Sequence, residues 1–134
     1  MLNIILDYDV VLDLLAKSNN DTKHCFIRLQ KSSIKFWIPC CLLSQLENQF
    51  NINKYEPLSK LLSKNVQWLS SLSENWLKVP KNCDSKTHAM ISLDAATLSG
   101  TTIIWSGNPD FTSVHPNIES GDHELVYSML AEID

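Results

Sequence analysis

Two short apolar runs, each ending on oxygen-bearing side chains, constrain this chain more than anything else in it. Residues 3–9 read Asn-Ile-Ile-Leu-Asp-Tyr-Asp, a strand-forming stretch that stops on Asp7 and Asp9 before the helix-patterned residues 10–16. Near the other end, Thr-Ile-Ile-Trp at 102–105 stops on Ser106-Gly-Asn-Pro-Asp-Phe111. Strands without a polar face belong to sheets covered on both sides, and ligands of such sheets collect beyond the strands' carboxyl ends. The two strands are therefore expected side by side and parallel, which would bring Asp7 to Asn108 and Asp110 in one shared acidic site.

Hydrophobic period fills in the remainder. A helix is expected around residues 10–17, and the polar break Ser18-Asn-Asn-Asp21 supplies N-cap candidates for a second helix over 21–31. Residues 35–38 are strand-like until Pro39, after which Leu42, Leu43, Leu46 and Phe50 share one helical face. Leu58, Leu61, Leu62, Val66, Leu69 and Leu72 continue a helical rhythm for about four turns. Residues 76–79 read as a short strand closed by Pro80, residues 85–99 as a helix leading through Gly100 into the strand at 102–105, and residues 122–133 as a last helix. Strands alternating with helices predict an α/β fold, a three-layer α/β/α arrangement on a small, mostly parallel sheet, with residues 1–134 as one domain.

Composition narrows the function classes. With 134 residues and 44% hydrophobic content the chain can bury a real core. Its apolar runs fall well short of the roughly 20 residues that cross a bilayer, and no basic signal-peptide region opens it, so a cytoplasmic protein without a membrane partner is expected. Cys25, Cys40, Cys41 and Cys83 show no metal-binding spacing and read as buried thiols. All eleven Lys and Arg lie between Lys17 and Lys86, where eight acids leave +3, whereas residues 87–134 hold seven acids and no Lys or Arg. A modest basic face from Lys17, Lys23, Arg28, Lys31 and Lys35 is compatible with this, but a single Arg and a net charge of −4 are poor for strong nucleic-acid binding.

The two strand-end motifs carry a resemblance. Asp7-Tyr-Asp9-Val-Val-Leu-Asp13 resembles the opening of PIN domains, and Ile104-Trp-Ser-Gly-Asn-Pro-Asp-Phe111 is similar to their closing motif. Chain length, element order and a helical hairpin between the second and third strands agree with that family. The resemblance implies a metal-dependent ribonuclease of the toxin type, with Mg²⁺ or Mn²⁺ held by three or four carboxylates, single-stranded RNA as substrate, and an antitoxin-like protein or a homodimer as partner. It also implies an acidic site thinner than the family's. Asp7 matches the first acid. Asp9 stands where Asn or Ser is usual, and either caps the helix or adds a carboxylate. Gln45 occupies the place of the second acid, because Glu47 is about 200° around the helix from it.

Geometry guides the search for the third acid. A five-residue strand climbs roughly 15 Å, which a helix matches in about ten residues. Counting back from Ser99 puts the helix end nearest the site at His88, Ala89 and Met90, with Asp94 about 6 Å below it. Asp84 approaches from the preceding loop, and His88 is a candidate for the metal-facing position. Asn108 replaces the fourth acid, Asp110 is retained, and Ser106 supplies a hydroxyl. The resulting expectation is Asp7 and Asp110 as catalytic and metal-binding residues, joined at the metal by Asp9, Asp84 and Asn108, with Gln45, Ser106 and His88 lining the site. Such a depleted set fits either weak nuclease activity or a degenerate module that binds RNA or protein. The same Asp7-Tyr-Asp9 opening also resembles haloacid-dehalogenase-like phosphatases, with Asp7 as nucleophile and Asp9 as general acid. Those enzymes need a later Lys, and none follows Lys86.

Overall fold

Leu2–Leu6, the strand β1, is buried at all five positions, including the polar Asn3. It lies parallel to β2 (Ile34–Pro39) on one side and to β4 (Thr101–Trp105) on the other, with Asn3 opposite Lys35 and Thr102. The computed structural model describes residues 2–30, 33–49, 60–70, 86–108, 111 and 117–133. Within them β3 (Val66–Leu69) pairs with β2 and β5 (Glu119–Gly121) with β4, so five parallel strands run in the order β3-β2-β1-β4-β5. Helices flank the sheet: α1 (Tyr8–Leu15), α2 (Asp21–Arg28), α3 (Leu43–Gln49), α4 (Lys86–Ala95) and α5 (His123–Ile133). The fold is a small three-layer α/β/α arrangement, as the alternating pattern predicts.

The strands' apolar runs are explained by this placement. Ile4, Ile5, Leu6, Phe36, Ile38, Ile104 and Trp105 are each at most 1% exposed, because helices cover both faces of the central strands. Each such side chain contributes roughly 1.5–3 kcal/mol by leaving water. The one polar residue inside β1 is fully satisfied. Asn3 accepts from the Trp37 indole at 3.0 Å, and its amide donates to the Ser99 carbonyl at 2.8 Å and the Thr102 hydroxyl at 3.4 Å.

Three elements differ from the sequence expectation. The helical rhythm through Leu72 is interrupted, since Val66–Leu69 is a strand. Asn65 adopts φ 64°, a left-handed turn that ends the preceding helical residues, and its side chain donates to the Ile34 carbonyl at 2.6 Å. Val66 and Leu69 are buried and Gln67 is exposed, a spacing of three that a short edge strand and a helix share. Strand β5 carries no apolar run, because it is a three-residue edge built from Glu-Ser-Gly. Helix α4 stops at Ala95 rather than Ser99, and the left-handed Gly100, φ 93°, follows before β4. Pro39 closes β2 opposite Leu69, at a strand end. The strand expected at residues 76–79 lies outside the described residues.

Cys25 is buried as expected, whereas Cys40 and Cys41 are only partly so, being in the 3₁₀ turn Cys40–Leu42 that joins β2 to α3. Burial pushes the Cys41 thiol up to about 12, and the nearby Asp94 carboxylate adds to the effect. A thiol held protonated is a poor nucleophile. Cys83 lies outside the described residues. Among the described residues no helix is long and apolar enough to cross a membrane.

Candidate functional site

Strand order defines where a ligand belongs. From β1 the chain moves outward to β2 and β3, then crosses back to β4 and β5 on the other side, so the switch point falls between β1 and β4. Open parallel sheets bind ligands in the crevice outside the carboxyl ends at such a point. Here that crevice lies between the residues following Leu6 and those following Trp105, which are paired in register.

Side chains from the two ends meet there directly. The Ser106 hydroxyl donates to Asp7 Oδ2 at 2.7 Å, and the Gly107 N–H donates to Asp9 Oδ2 at 2.7 Å. The Asn108 N–H donates back to the Ser106 hydroxyl at 3.1 Å, which orients that hydroxyl toward Asp7. Asp7 Oδ1 accepts from the Tyr8 N–H at 2.8 Å, so Asp7 occupies the N-cap of α1. This corrects one expectation: Asp7, not Asp9, is the cap, and Asp9 sits in the helix's first turn facing β4. The positive end of α1 moderates the repulsion between the two acids.

A cleft of about 250 Å³ opens above them, lined by Asp7, Tyr8, Asp9, Leu42, Gln45, His88 and Asn108. Five of the residues singled out from the sequence therefore meet in one place, while Ser106 stands behind Asp7 and lines the adjoining cleft with Gly107, Asn108, Phe111, Ser120, Gly121 and Asp122. Gln45 is exposed on α3, and Glu47 is not among the lining residues. His88, half-buried, stacks on Phe111 with ring centroids 4.2 Å apart. Asp94 is fully buried and not part of the lining, lying close enough to Cys40 and Cys41 to raise both thiols. Asp84 and Asp110 lie outside the described residues.

Two participants escaped the sequence reading. Tyr8 lines the cleft simply because it lies between the two acids. Gly107 supplies the backbone donor for Asp9, and a Cβ there would come within 2.6 Å of the carboxylate oxygen. A glycine just past a buried strand end is the signal that could have found it, since glycine permits such close approach.

The electrostatics are those of a site short of positive charge. Burial pushes the Asp9 carboxyl above its ordinary value and the neighbouring Asp7 adds to this, against N–H groups of Gly107 and Val10 that pull it back. Asp9 Oδ1 is buried with no hydrogen-bond partner among the described residues. A hard divalent cation suits this donor set: Mg²⁺ is commonly held by one or two carboxylates, keeping its waters and taking up substrate phosphate oxygens. Asp7 and Asp9 are the carboxylates that would hold it, and Gln45 and Asn108 have amide oxygens on the same cleft. Among the described residues no three His, Cys, Asp or Glu side chains form a closed metal cluster.

No protein-family model matches the chain, and neither does a curated protein or a solved structure.

Proposed function

We propose that this protein is a PIN-like, Mg²⁺- or Mn²⁺-dependent endonuclease of single-stranded RNA, acting in the cytoplasm. The observation that carries the reading is the convergence of Asp7 and Asp9 with Ser106, Gly107 and Asn108 at the switch point, with one buried Asp9 oxygen lacking a donor among the described residues. A cation there would activate a water and neutralise the charge that builds on a phosphodiester during in-line attack. Asp7, fixed by two hydrogen bonds, would position that cation, and the amides of Gln45 and Asn108 would contact it or its waters. His88 lies on the same cleft.

A second reading has its own support. Neutral Gln45 and Asn108 occupy the rim, so the described residues present two carboxylates to the cleft, which suits an RNA- or protein-binding module that has lost most of its chemistry. Cleavage of a short single-stranded RNA in the presence of Mn²⁺ separates the two. The nuclease reading expects metal-dependent cleavage, abolished in a folded Asp7→Asn variant and little changed in Asp94→Asn. RNA or protein binding without cleavage under any divalent ion would establish the module instead.

A further inference from the structure

A second concavity lies at the far end of α1 from the acid pair. It encloses about 390 Å³ where the end of α1, the face of α2 and residues 60–64 converge. Leu15, Phe26 and Leu61, each at most 4% exposed, form its floor, and Leu14 and Ile27 form an apolar wall. Ile27 is 64% exposed, the one large hydrophobic side chain so exposed among the described residues. Four lysines ring this surface: Lys17, Lys23, Lys60 and Lys64. No acidic side chain lines it among the described residues, in a protein whose net charge is −4.

We propose that this pocket binds a monomeric amphiphilic anion of the fatty-carboxylate kind, with the apolar tail on the leucine and phenylalanine floor and the head among the lysines. Its volume lies in the range of small-molecule sites, which are mostly apolar with a few convergent polar groups. Lys17 and Lys64, both exposed, and the Lys23 ammonium flank one apolar patch, and an anionic head offsets their charge while a tail covers Ile27. Lys23 is held at the rim because its ammonium donates to the Ala16 carbonyl at the end of α1, leaving two of its three N–H groups for a ligand. RNA suits the pocket less well. The lysines surround apolar side chains, and Phe26, the one aromatic ring in the lining among the described residues, is too deeply buried to offer a stacking face to a base. Its buried floor also gives a single acyl chain a recess to occupy, which a flat membrane surface would not fill.

Calorimetry with octanoate, below its micelle-forming concentration, tests the proposal on the intact chain. Saturable one-to-one binding is expected, with octyltrimethylammonium, which has the same tail and the opposite charge, binding at least about tenfold more weakly. Lys17→Gln with Lys64→Gln, both exposed positions, should weaken octanoate about tenfold while leaving the melting temperature and Mn²⁺ binding unchanged. Equal binding of the two amphiphiles, no saturation, or binding confined to anionic vesicles would overturn it. So would a short single-stranded RNA that binds through the same lysines where octanoate does not. Mn²⁺ binding reports on the acid pair alone, so this result stands or falls separately from the nuclease reading.

Discussion

Ser106→Ala tests the junction between the two strand ends. In the wild type the hydroxyl donates to a carboxylate that is 4% exposed and accepts from the Asn108 N–H. Losing a hydrogen bond to a buried charged group costs roughly 1.5–3 kcal/mol, and losing the neutral bond from Asn108 costs roughly 0.5–1.5 kcal/mol. Partial rehydration at the cleft lowers the sum, so about 2–4 kcal/mol is expected. For a domain of this size that corresponds to a fall in Tm of roughly 6–15 °C, measurable by circular dichroism. Mn²⁺ should narrow the difference, because a bound cation offsets the Asp7 charge that has lost its hydroxyl donor. Ser106→Thr keeps the hydroxyl and should recover most of the stability. A Ser106→Ala protein melting within about 2 °C of wild type would show that Asp7 does not depend on β4, and the shared site would lose its geometric basis.

Three further outcomes follow from the same cleft. Gln45→Glu combined with Asn108→Asp should tighten Mn²⁺ binding measured by calorimetry, since each carboxylate adds attraction for the cation; unchanged affinity in the folded double variant would mean those side chains do not reach the metal. Gly107→Ala should leave the fold intact but swing the Asp9 carboxylate away, because the new methyl meets only the end of that side chain, and Mn²⁺ affinity should fall roughly tenfold. Asp9 also sets a pH dependence in the metal-free protein. Its folded carboxyl titrates above the ordinary 3.8, so the native state holds the proton more tightly than the unfolded chain, and stability declines as pH rises from about that value through the raised folded one. Asp9→Asn removes the buried charge and keeps an acceptor for Gly107, so it should flatten that limb and raise Tm at neutral pH; a lower Tm would show that the charge is favourable where it sits.

The sequence made the central strands and their shared end legible because both runs are apolar on two faces and both stop abruptly on polar residues. It was less informative at the sheet's edges. Val66 and Leu69 satisfy a helical spacing as well as a strand's, and only the left-handed Asn65 decides between them. Glu119-Ser-Gly121 has no apolar signature, since its place in the sheet comes from pairing with β4 rather than from burial. In the cleft, Asp7, Asp9 and Asn108 could be named from the strand ends, His88 from the helix rise, and Gln45 only from the resemblance to PIN domains. The division of labour between Asp7 and Asp9 could not, because Asp at either position is a good cap and the choice rests on where β4 delivers the Ser106 hydroxyl and the Gly107 N–H.

Asn3 has a role that its hydrogen bonds alone do not express. A strand that is apolar on both faces can slide by a residue against its neighbours at little hydrophobic cost, since greasy side chains meet greasy side chains in every alignment. Asn3 removes that freedom, for its single amide reaches Trp37 on one neighbouring strand and Ser99 and Thr102 toward the other in one alignment only. Four residues further on, roughly 13 Å along β1, that alignment fixes where Asp7 emerges relative to Ser106. The amide at the bottom of the sheet thus acts as a vernier for the carboxylate at the top, and a slip of one notch would carry Asp7 past its hydroxyl by a full residue.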